Sequence, residues 1–80
     1  MPNTLRSARH LKLVHLLVEG RERAGLTQQQ LAHRIGRYQS VVAAMEGGGR
    51  RIDFVEFLEI AEVLDIDVYE VVDQVRAIPG

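Results

Sequence analysis

The chain contains no cysteine among its 80 residues, so neither a disulfide nor a thiolate metal site can staple it. A domain this small buries a modest share of its surface. Its stability must come from well-capped helices or from a partner subunit. No apolar run approaches the ~18 residues that a membrane-spanning helix needs, so no membrane contact is expected. The opening stretch MPNTLRSARHLKL has no long apolar segment ending in a small-residue cleavage site, which argues against a signal peptide. No segment alternates with a period of two, and no internal repeat or linker is visible. These absences predict one all-α domain over residues 1–80, in a cytoplasmic protein.

The chemistry of an enzyme is missing too. His10, His15 and His33 fall on separate turns or helices, and the five-residue spacing of the first two is poor for one metal ion. They read as surface or interfacial histidines. No Ser-His-Asp set accompanies a strained nucleophile turn. The segment GGGRRI is not followed by the Gly-Lys-Ser/Thr of a nucleotide loop, and helix termination accounts for its glycines. The sequence therefore predicts no catalytic residue, no metal and no cofactor.

Charge is present but polarised. Residues 1–51 hold nine Lys and Arg against three Glu, a charge of +6, whereas residues 52–80 hold one Arg against eight acids, a charge of −7. A basic half suits a nucleic acid, or an acidic protein, better than a uniform surface does.

Five helices are predicted. Residues 1–6 read as a loose arm, and Ser7 as the cap of a helix over Ala8–Arg23. That helix has one apolar stripe of Leu13, Leu17 and Ala24 and another of Leu11, Val14 and Val18. Gly20 allows a close approach to it. Thr27 and Gln30 form a capping box for a second helix, with Leu31, Ala32 and Ile35 on its inner face. Gly36 stops it in the left-handed conformation. A third helix runs from Gln39 to Glu46, with Val42 and Met45 inward. Asp53 and Glu56 make a second box. Phe54, Phe57, Leu58, Ala61 and Leu64 form the core face of the fourth helix, and Glu56, Glu59 and Glu62 its wet face. Asp67 and Glu70 make a third box, and Val68, Val71, Val72 and Val75 the stripe of the fifth helix.

Two short helices across a turn containing glycine, here residues 27–46, are the pattern of a helix-turn-helix. The segments AGLTQQQLA, IG, QS and MEGG, continuing through RRIDFVEFLEIAEVLDID, resemble the phage repressor/Cro-type family, also called the xenobiotic-response-element type. The resemblance covers roughly residues 13–68. It implies a compact five-helix domain that binds double-stranded DNA, acts as a transcriptional regulator of repressor type, and sits at the nucleoid.

The resemblance also assigns roles. Gln39, at the start of the third helix, matches the first base-reading position, where a glutamine can pair with adenine through two hydrogen bonds. Ser40, Val41 and Ala44 match further base-facing positions; the last two offer only apolar contact with a thymine methyl. Gln28 matches a glutamine that holds a phosphate and braces Gln39. Arg34, Arg37, Arg50 and Arg51 flank the reading helix and would neutralise phosphates. Arg21 and Glu46 match a bridge between the first and third helices. Family habit and surplus apolar surface on the first and fifth helices suggest a homodimer through Leu11, Val14, Val18, Val68, Tyr69 and Val72; the alternative is that the same stripes pack against each other inside one subunit. A near-palindromic operator would follow from the dimer. The alternative is an antitoxin-like or other protein-binding module of the same fold with weakened base readout.

Overall fold

The computed structural model describes residues 7–80. The arm expected over residues 1–6 lies outside the described residues. Five helices follow one another: α1 (Ala8–Arg23), α2 (Gln28–Ile35), α3 (Gln39–Glu46), α4 (Phe54–Leu64) and α5 (Val68–Arg76). Each starts where the sequence provides a cap or a turn. Ser7 accepts the His10 amide, and Thr27 accepts the Gln30 amide while the Gln30 side chain returns to the Thr27 amide. Asp53 and Glu56 close the same box on α4. Satisfying those amides fixes where α1, α2 and α4 begin. Gly36 ends α2 at φ 68°, a conformation that costs other residues more. Asp65 ends α4 at φ 54°, one of the few non-glycine types that tolerate this region.

The third box differs from its prediction. Asp67 accepts from the amides of Tyr69 and Glu70, but the Glu70 carboxylate turns to Gln74 at 3.4 Å. The start of α5 is capped from one side.

The core is built from Leu17 of α1, Leu31, Ala32 and Ile35 of α2, Val42 and Met45 of α3, Phe57, Ile60 and Leu64 of α4, and Val71 of α5. Helix α1 packs on α3, α4 and α5 together. A helix with three neighbours needs a wide apolar arc, and this corrects one expectation. Val14 is a buried core residue, facing Leu31, Val42 and Met45, and is not part of an outer stripe. Gly20 lets the Ile66 side chain of the α4–α5 turn lie close against α1; a Cβ there would lie 2.6 Å from Ile66 Cδ1, and that side chain would have to shift.

Helix α4 supplies two more corrections. Phe54 stands one turn before the buried residues and is 69% exposed, outside the core face predicted for it. Glu56, predicted on the wet face, is buried. Its position in the capping box turns it back toward Asp53, and the guanidinium groups of Arg50 and Arg37 pair with its carboxylate.

Candidate nucleic-acid interface

Helix α3 lies across α2 with Val42 and Met45 turned into the core. That packing leaves Gln39, Ser40 and Ala44 exposed on its other side, while Val41 packs partly against the core and offers less of its side chain. Tyr38 precedes the helix, makes no capping bond and is among the most exposed large side chains.

A chain of hydrogen bonds joins this edge to the interior. Arg21 donates to both oxygens of Glu46, Nε to Oε2 at 2.7 Å and Nη2 to Oε1 at 3.0 Å, and its Nη1 donates to the Leu26 carbonyl at 2.8 Å. The two side chains are only 14% and 12% exposed. A guanidinium fork on a carboxylate is among the stronger polar contacts available. The Glu46 bond holds the Arg21 pKa above its ordinary value, against the opposing effect of burial. Glu46 Oε1 also accepts from Gln28 Nε2 at 2.9 Å, and Gln28 Oε1 accepts from Gln39 Nε2 at 2.8 Å. Helices α1, α2 and α3 are thereby tied together at the point where Gln39 emerges. The sequence pointed to Arg21 with Glu46, and to Gln28 with Gln39. The Gln28–Glu46 bond that connects these pairs spans 18 residues and has no local signal.

A second charged centre lies beyond α3. Arg50 donates Nη1 to Glu56 Oε1 at 3.1 Å and Nη2 to Oε2 at 2.9 Å. Arg37, in the turn between α2 and α3, places Nε 3.6 Å from Glu56 Oε2 and Nη2 3.7 Å from Glu59 Oε1. Both arginine side chains are 38% exposed, whereas that of Glu56 is 6% exposed. Arg50 holds the Glu56 carboxyl below its ordinary range, helped by the Asp53 amide and Arg37 and opposed by burial. Arg34 and Arg51 are exposed. The arginines assigned to phosphates thus lie in α2, in the turn before α3 and in the loop after it. Two of them are steered by one buried carboxylate.

The residues assigned to a dimer surface divide. Leu11, Tyr69 and Val72 are exposed, and Val18 and Val68 are half-buried. Beside Val72 runs a shallow apolar groove formed by Leu13, Ile52, Phe54, Phe57 and Val75. Phe54 is the member that periodicity alone assigned to the interior.

Among the described residues, no cluster of His, Asp and Glu could hold a metal ion, and no helix is long and apolar enough to cross a membrane. Two helices across a glycine turn, with a braced polar edge on the second, define a helix-turn-helix domain. The helix-turn-helix domain family matches residues 12–73. An XRE-family-like protein from Pseudomonas syringae pv. tomato is similar in structure. It has a TM-score of 0.81 and 38% identity over 91% of this chain and 89% of that one. No curated protein matches. The chain belongs to the XRE/Cro-type helix-turn-helix family.

Proposed function

We propose that this chain is a sequence-specific DNA-binding transcriptional regulator that represses by occupying its operator. Helix α3 enters the major groove with Gln39 and Ser40 against base edges, and Ala44 and the exposed part of Val41 offer apolar contact to thymine methyls. Gln28, Arg34, Arg37, Arg50 and Arg51 hold the backbone phosphates and set the register. The observation that carries this reading is the bond from Gln39 to Gln28. It ties a solvent-exposed glutamine at the first turn of α3, on the side away from the buried Val42 and Met45. Leu11, Tyr69 and Val72 support a homodimer, whose two-fold axis would match half-sites about 34 Å apart.

Selection from random DNA, followed by binding at several salt concentrations, tests the proposal. An enriched near-palindrome is expected. Gln39→Ala should weaken binding to it by roughly ten- to a hundredfold and leave random DNA nearly unaffected. Arg50→Ala with Arg51→Ala should weaken both and lower the salt slope by roughly one to two units. A protein-binding module would show no enriched sequence and no steep salt dependence.

A further inference from the structure

The chain of bonds from Arg21 to Gln39 has a direction. A guanidinium only donates and a carboxylate only accepts, so Glu46 must be met by donors. Gln28 therefore turns its Nε2 to Glu46 Oε1, at 2.9 Å, which leaves its Oε1 facing α3. That oxygen in turn needs a donor, and Gln39 supplies Nε2 at 2.8 Å. The two ends of an amide have nearly the same shape, so an isolated glutamine turns over freely and its surroundings decide which end points where. Here each reversal would set oxygen against oxygen, starting from a carboxylate that is 12% exposed and gripped by Arg21.

We infer that Glu46 sets the donor–acceptor order that Gln39 presents to DNA, acting as a specificity-determining positioning residue through Gln28 without touching a base. With one Nε2 hydrogen committed to Gln28, the free edge of Gln39 is one acceptor, Oε1, and one donor. Adenine shows the complementary pair in the major groove, an N6 donor and an N7 acceptor. Guanine shows two acceptors there, O6 and N7, and would meet the Gln39 oxygen with its own. The relay thus rejects guanine by preventing the amide from turning its NH2 group outward. This inference rests on the proposed DNA reading and names what makes that reading selective.

The order can be released without stranding a charge. Glu46 Oε1 accepts from both Arg21 Nη2 and Gln28 Nε2, so an amide at this position keeps its oxygen there and does not reverse the order. Arg21→Met with Glu46→Met removes the fixed acceptor together with the charge it pairs, and leaves the Gln28–Gln39 pair free to turn either way. Gln28→Met breaks the relay at its middle and keeps Arg21 on Glu46.

The test is selection from random DNA by the full chain and by both variants, followed by affinities for sites that differ only by adenine or guanine at the base facing Gln39. The wild type should favour adenine by roughly tenfold. Arg21→Met with Glu46→Met should bring the ratio toward one. Gln28→Met should bring it toward one, whatever overall affinity it loses with its phosphate contact. Loss of stability alone would lower both affinities and leave the ratio unchanged. A wild-type preference for adenine that survives in both variants overturns the relay and leaves the DNA reading intact. If the double variant does not fold, an unchanged ratio in Gln28→Met overturns it alone. A wild type with no enriched sequence overturns both.

Discussion

Glu46 and Glu56 are two buried or nearly buried carboxylates, each gripped by an arginine fork, and they differ in what surrounds the arginine. Arg21 is 14% exposed and sits among α1, α2 and α3, with a third bond to the Leu26 carbonyl. Arg50 and Arg37 are each 38% exposed and reach Glu56 from a loop and a turn. The first centre is a joint between helices. The second is a mooring for two half-exposed cations at the edge of the proposed phosphate track. A buried charge that loses its partner cannot recover solvent, whereas a half-exposed one can swing into water. The same chemical group therefore joins packed helices at one site and holds half-exposed cations at the other.

The sharpest way to break this comparison is to remove each carboxylate in turn. Glu46→Ala strands the Arg21 guanidinium among packed helices and should cost about 3–5 kcal/mol. For a domain of this size each kcal/mol lowers the melting temperature by about 4–8 °C. Glu56→Ala releases two arginines that turn to solvent, and also opens the α4 capping box. Its cost should fall at about 1–3 kcal/mol, between the buried and exposed limits. Denaturant midpoints at neutral pH measure both. Equal costs would show that the exposure of the arginine does not decide the outcome, and a larger cost at Glu56 would reverse the assignment of joint and mooring.

Much of the fold was legible because its signals are local. Thr27 with Gln30, Asp53 with Glu56, and Gly36 fix helix ends within a turn of themselves. The errors arose where the answer depends on distant chain. Glu56, Glu59 and Glu62 recur at a helical spacing, which reads as a wet face. Yet Arg37 and Arg50 arrive from outside the helix to bury the first of them. The capping box held the clue, since it turns Glu56 back along α4 toward Asp53 and away from the outward row. One stripe suffices for a helix with one neighbour, so the sequence reads Val14 as surplus; α1 has three neighbours, and Val14 is buried. Phe54 fits the apolar spacing, but the core ends one turn short of it. In the interface, the residue types at the start of α3 were readable. The route by which Glu46 reaches Gln39 required the three helices to be set against each other.

The smallest expected effect concerns acid, and it sharpens the comparison at its second site. Arg50 is the main reason that the Glu56 carboxyl lies below its ordinary range, with the Asp53 amide and Arg37 adding to it. A glutamate in the unfolded chain titrates near about 4.3. Between that value and the lower folded one, the unfolded chain binds the extra proton, so stability rises with pH. The contribution of Glu56 is fully present above the unfolded value and is lost as pH falls through the folded value. Glu56→Gln keeps the shape of the side chain and its capping oxygen but removes this titration. Its denaturant midpoint should therefore fall less than that of the wild type between about pH 5 and about pH 3. Parallel curves would show that the arginines do not hold the carboxylate in its charged form. Glu56 would then be a capping and packing residue, and the cations beside it would be placed by their own loops.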